Sequence, residues 1–113
     1  EVAAALLPCA RDEKILFIVN PVSGHRMGQQ HFDKVIRFFK MAHVDTEQMF
    51  TRRGGHAMEY IQAMDPAQMA RVRGIVCIGG DGTVCEVINA VLAREGARPH
   101  EGLLERLALG TVP

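Results

Sequence analysis

Gly79-Gly80-Asp81-Gly82-Thr83 is the segment whose residue types and spacing best suit chemistry. Three glycines in four positions allow positive φ and close approach of the backbone to a ligand. Set between a strand and a helix, the segment would place the amides of Gly82 and Thr83 at a helix N-terminus. There, free N–H groups and the helix dipole favour phosphate. Asp81 adds a carboxylate beside that positive end, able to orient a hydroxyl, hold a magnesium ion, or both. A structural reading stands beside this one: Thr83-Val84-Cys85-Glu86 fits the S/T-x-x-E capping box. A cap alone, however, does not call for glycine at 79, 80 and 82.

Two further loops could share a ligand with it. Asn20-Pro21-Val22-Ser23-Gly24 combines a rigid turn, a hydroxyl and a glycine, and taken alone reads as a turn. Thr51-Arg52-Arg53-Gly54-Gly55-His56 offers two arginines on a loop. Alternatively Thr51 caps the following helix and His56 is a surface residue. Cys77 and Cys85 read as small packing residues and the six methionines as core filler or surface, with no cofactor needed to explain them.

Hydrophobic period supplies the elements that would hold these loops. Ile15-Leu16-Phe17-Ile18-Val19 reads as a strand buried on both faces, ended by Asn20-Pro21. Phe32, Val35, Ile36 and Phe39 predict a helix from about Gln29 to Ala42. Thr46 to Thr51 is a weaker strand. Ala57, Tyr60, Ile61 and Met64 form a second helical stripe, stopped at Asp65-Pro66, with a short helical turn expected from Pro66 to Val72. Residues 74–78 form another strand, and Val84, Val87, Ile88, Val91 and Leu92 a third helix. Arg94 to Glu101 reads as a polar loop and Leu107 to Val112 as a last strand. Alternating strands and helices predict an α/β fold: three layers, a mostly parallel sheet with helices on both faces. Ligands in such sheets sit beyond the carboxyl ends of the strands, where all three loops fall.

Composition narrows the function. Lys plus Arg and Asp plus Glu both number 13, and this balance argues against nucleic acid or an anionic membrane as the main partner. No apolar run reaches the roughly 20 residues of a membrane span. Cys9, Cys77 and Cys85 form no CxxC pair, which favours reduced thiols and a cytoplasmic setting, and the five histidines lack zinc-ligand spacing. The chain opens on Glu1, with residues 1–13 read as a leader or linker and 14–113 as part of a longer protein.

Taken together, the loops are more specific than any one of them. The series Asn20-Pro21-x-Ser23-Gly24, Thr51-x-x-x-Gly55-His56-Ala57 and Gly79-Gly80-Asp81-Gly82-Thr83-x-x-Glu86-Val87-x-Asn89 resembles the catalytic family of diacylglycerol, sphingosine and ceramide kinases. The resemblance implies a fold similar to NAD kinase and phosphofructokinase. It implies transfer of the γ-phosphoryl of ATP, with Mg2+, to a lipid hydroxyl. It also implies transient, peripheral membrane contact by the full-length protein. By position, Asn20, Pro21, Val22, Ser23, Gly24, Thr51, Arg52, Arg53, Gly54, Gly55, Thr83 and Glu86 would border the nucleotide. Gly79, Gly80, Asp81 and Gly82 would line the meeting place of phosphate and acceptor, with Asp81 orienting the hydroxyl and collecting its proton. Asn89-Ala90 departs from the family's Asn-Gly, and the family continues into a β-rich lobe beyond the last strand. The long stretch from Arg94 to Arg106 favours a sphingoid-base acceptor over diacylglycerol or ceramide. The alternatives are an NAD-kinase-like enzyme, which shares Gly-Gly-Asp-Gly-Thr after a strand, and a nucleotide-binding module without activity of its own.

Overall fold

The structure, a computed structural model, describes residues 13–22 and 27–112. Its elements run β1 (Lys14–Val19), α1 (Gly28–Met41), β2 (Thr46–Phe50), α2 (His56–Ala63), α3 (Pro66–Arg71), β3 (Val72–Ile78), α4 (Asp81–Ala97), a 3-10 turn (Pro99–Glu101), α5 (Leu103–Arg106) and β4 (Ala108–Val112). The four strands form one parallel sheet in the order β2-β1-β3-β4. β1 is buried along its whole length, as a central strand covered on both faces must be.

Strand order dictates the layers. The chain steps from β1 to β2 in one direction, then passes back over β1 to β3 and on to β4. Right-handed crossovers therefore put α1 on one face and α2 and α4 on the other. The core divides accordingly. Ile15, Phe17 and Val19 point to α1 and pack with Phe32, Ile36 and Phe39, with Phe17 edge-on to Phe39 at 4.9 Å and to Phe32 at 5.5 Å. Leu16 and Ile18 point the other way, to Ala57, Ile61, Val87 and Ala90. This is the expected three-layer α/β fold.

Two expectations fail. Arg94 to Glu101 is not a loop: α4 continues to Ala97, and the 3-10 turn and α5 follow. Arg94 is only 3% exposed and forms a bidentate pair with Glu101, Nε to Oε1 at 2.7 Å and Nη2 to Oε2 at 2.8 Å. Its Nη1 donates to the carbonyls of Ile61 (2.8 Å) and Gln62 (3.3 Å). Downstream, the Leu103 amide donates to Glu95 and the Arg106 guanidinium to the carbonyls of Val72, Met69 and Glu101. Polar composition here signals buried polar pairing. The expected third helix forms as α4, with Thr83, Val87, Ala90 and Arg94 buried, Val84 and Val91 partly buried against the core, and Ile88 and Leu92 exposed toward α5 and β4. Small Thr83 and Ala90 let α4 approach the core more closely than the larger residues would. Second, of the two cysteines expected to pack, Cys77 is buried, its thiol pushed up to about 12 by desolvation, whereas Cys85 is exposed.

Candidate functional site

Because the sheet is parallel, β1, β2 and β3 deliver their following loops to one edge. The ladder extends past the strands: the Asn20 amide donates to the Ile78 carbonyl (2.8 Å) and the Thr51 amide to the Val19 carbonyl (2.8 Å). Strand order reverses between β1 and β3, so a crevice opens there. A cleft of about 620 Å3 occupies this edge, lined by Asn20, Val22, Thr51, Arg52, Arg53, Gly54, Gly82, Thr83 and Glu86. Every one of the nine is a residue singled out in the sequence. Pro21, Gly55, Gly79, Gly80 and Asp81 adjoin the lining without forming it, and Ser23 and Gly24 lie outside the described residues.

The glycine loop works differently from the sequence expectation. Among the described residues positive φ occurs at Gly55, Gly102 and His43, not at Gly79, Gly80 or Gly82. Close approach explains Gly79, where a Cβ would stand 2.7 Å from Thr83 Oγ1 and 3.2 Å from the Asn20 Cβ. Gly80 and Gly82 face open space, leaving their backbone accessible from the cleft side. The helix cap is also placed differently. Gly80 is the N-cap of α4, so Thr83 is already the third helical residue and the capping box does not form. The Thr83 amide donates to the Gly80 carbonyl (3.1 Å), so the helix-end donors free for an anion are those of Asp81 and Gly82, not Gly82 and Thr83.

Glu86 turns to another helix. Its Oε1 accepts the Met58 amide at 3.0 Å, capping the first turn of α2 from α4. The N-cap of α2 is Gly55 at φ 81°, which has no side chain to do this, and Thr51 does not cap it. Ordinary L residues disfavour that φ, so Gly55 is there for conformation. His56 is more than surface: its Nδ1 accepts the Arg52 amide at 3.0 Å, closing the loop from Thr51. Gly28 was not anticipated at all. A Cβ there would stand 2.1 Å from the Asn20 carbonyl oxygen, so this glycine lets α1 start against the Asn20-Pro21 turn, which the Asn20 side chain stabilises by accepting the Val22 amide. A glycine at the foot of a predicted helix was the available signal.

Charge at the cleft is mixed. Arg53 pairs with Glu59, whereas the exposed Arg52 guanidinium makes no ion pair among the described residues. Asp81 is exposed at the N-terminus of α4, and its carboxylate has no hydrogen bond or ion pair among the described residues. A glycine-bearing crevice at a strand reversal, with a helix end, an arginine and an adjoining unpaired carboxylate, marks the carboxyl edge of a parallel α/β domain, the edge where such folds take their ligands.

Residues 14–113 match the diacylglycerol kinase catalytic domain, and the chain belongs to that family. It is 37% identical over 106 residues to sphingoid long-chain bases kinase 1 of Arabidopsis thaliana, covering 93% of this chain and 13% of that protein. It is 32% identical to sphingosine kinase 1 of the same plant, covering 96% and 21%. The fold superposes on a candidate diacylglycerol kinase from Bacillus anthracis str. Sterne with a TM-score of 0.66 and 30% identity, over 89% of this chain and 30% of that one. The chain thus spans between about an eighth and a fifth of the length of these two plant relatives.

Proposed function

We propose that this chain is the nucleotide-holding part of an ATP-dependent lipid kinase, transferring the γ-phosphoryl group to a lipid hydroxyl. The observation that carries this reading is the cleft lined together by the loops after β1 and β2 and the start of α4, with the glycine loop adjoining it. The open amides of Gly82 in its lining and of Asp81 beside it suit phosphate oxygens, and Arg52 suits the same charge. Residues 14–113 would form the N-terminal subdomain, followed by a β-rich lobe, with 1–13 as a leader or linker. A sphingoid base is the favoured acceptor, supported by the named substrates of the plant relatives and by the folded Arg94–Arg106 segment.

In the step itself the lipid oxygen attacks the γ-phosphorus, the bond to the β-phosphate oxygen breaks, and ADP departs. An ordinary aspartate, with a pKa of about 3.9, is a weak base toward an alcohol. In a loose transition state the hydroxyl proton leaves late, so Asp81 serves by aiming the hydroxyl and then taking that proton. A lone exposed carboxylate also suits magnesium, which binds through one or two carboxylates plus substrate phosphates. When bound, the ion would neutralise phosphate charge, with Asp81 as its protein ligand.

Full-length protein incubated with radiolabelled ATP should label sphingosine more strongly than ceramide or diacylglycerol. Asp81→Asn should cut the rate by about 10^2- to 10^4-fold while leaving Tm nearly unchanged. No labelled lipid from any of the three ends the reading. A second reading, binding without turnover, applies to the 113-residue chain by itself, because its cleft is lined by these loops alone. Calorimetry with Mg·ADP should then detect binding where a turnover assay detects none.

A further inference from the structure

The cleft leaves one face of the molecule unexplained. Phe38 is 61% exposed and Met41 75%, both on α1, while Met27 at the head of the helix is 37% exposed and Val22 on the preceding turn 63%. At 3.6 residues per turn, positions 27, 34, 38 and 41 fall within about 60° of arc. This stripe points away from the sheet, opposite the buried Phe32, Ile36 and Phe39. Lys34 lies within it and Arg37 about 40° beyond its edge, whereas Lys40 falls about 100° beyond that edge, toward the buried Ile36, with Asp33 between Arg37 and Lys40. None of the three makes an ion pair among the described residues, and all are exposed. Asp33 is the one acid on α1, and it accepts a hydrogen bond from the Gln29 amide group (3.1 Å).

We propose that the outer face of α1 docks on an anionic lipid bilayer, with Phe38 and Met41 entering the acyl boundary and Lys34 and Arg37 meeting headgroup phosphates. Apolar side chains fringed by unpaired cations on a helix lying flat are what such an interface selects. Charge excludes a second copy as the occupant: a two-fold contact through this stripe would set its cations against themselves. The other exposed apolar cluster, Ile88, Leu92, Leu104 and Leu109, lacks that fringe, since Glu105 adjoins Leu104 and the Arg106 guanidinium is spent on carbonyls. The head of α1 adjoins the cleft, since Gly28 abuts the Asn20-Pro21 turn and the exposed Val22 after it is part of the lining. Docking would bring the mouth of the cleft to the membrane, a consequence that rests on the lipid-kinase reading; the contact itself does not.

Co-sedimentation of the 113-residue chain with phosphatidylcholine vesicles, with and without phosphatidylserine, tests this. Phosphatidylserine should strengthen binding and added salt should weaken it. Phe38→Ala with Met41→Ala should lower affinity for the anionic vesicles by about tenfold or more. Replacing Lys34 and Arg37 by Gln should cost about fivefold per cation and remove the preference for anionic lipid, whereas Lys40→Gln, on the side turned toward the sheet, should change little. All these positions are exposed, and Mg·ADP binding by the same variants should match the parent chain. Loss of ADP binding in the parent chain would overturn the kinase reading and leave the docking face standing. Equal binding to both vesicles, Phe38 and Met41 or Lys34 and Arg37 variants indistinguishable from the parent, or dimerisation that Phe38→Ala dissolves would overturn the docking face.

Discussion

The two ends of α4 carry opposite solutions to the same problem of placing charge. At its N-terminus Asp81 stands exposed between glycines, with no side-chain partner among the described residues. Three turns later Arg94 is sealed, with four hydrogen bonds to Glu101, Ile61 and Gln62. Both signs suit the helix dipole, acid at the start and base near the end. Yet one carboxylate is left open at a cleft, and the other end becomes a staple joining α2, α4 and the 3-10 turn. The carboxyl edge of the strands has polar pairs of its own, Arg53 with Glu59 and Glu86 with the Met58 amide, but leaves Asp81 and the Arg52 guanidinium without an ion pair among the described residues.

Breaking the staple should have the largest effect on stability. Arg94→Met leaves the Glu101 carboxylate and two carbonyls without their donor, so the chain should lose about 3–5 kcal/mol in urea unfolding. Arg94→Met together with Glu101→Leu should recover part of that loss. The same variants should leave nucleotide affinity per folded molecule unchanged.

At the open end, glycines separate packing from ligand approach. Gly79→Ala forces a Cβ against Thr83 and Asn20 and should cost about 1–3 kcal/mol. Gly82→Ala meets nothing and should be neutral or stabilising by up to about 1 kcal/mol, while still weakening Mg·ADP binding measured by calorimetry. If Gly82→Ala binds ADP as well as the parent chain, the open space beside it is not where phosphate sits.

The smallest effect is in pH. Hydrogen bonding from Arg94 holds the Glu101 carboxyl below its ordinary value, and Lys14, then Tyr60, do the same for Glu47. A carboxyl depressed in the folded state contributes stability at neutral pH, which is lost as pH falls through the carboxylate range, below about 5. Thermal melts should show that loss, and Glu101→Gln or Glu47→Gln should flatten the slope over the same interval. Tyr60, raised to about 12 chiefly by desolvation and then by Glu47, works in the opposite sense and loses its contribution as pH rises past about 10.

What could be read from residues alone follows from this contrast. β1, α1 and β3 were legible because a central strand is continuously apolar and a covering helix has a single periodic stripe. The three loops were legible because parallel strands leave them on one edge. The Arg94–Arg106 region was not, since its order comes from a buried ion pair and side chain to carbonyl bonds that composition renders as polar loop. Thr83 and Glu86 matched a local capping pattern, yet Gly80 takes the cap and Glu86 reaches 28 positions back to Met58. Long-range partners of this kind leave no local trace. Gly28 and His56 are different: their partners, Asn20 and Arg52, are near in sequence, but only the folded loops show the contacts.

Titration of isotope-labelled chain with Mg·ADP, followed by amide NMR, tests the central claim most directly. Saturable shifts should appear at Asp81, Gly82 and Thr83, with smaller ones at Asn20, Val22 and residues 51–55, while Arg94 to Arg106 stays still. Saturable shifts confined to the Arg94 end, or none at millimolar nucleotide, would contradict it.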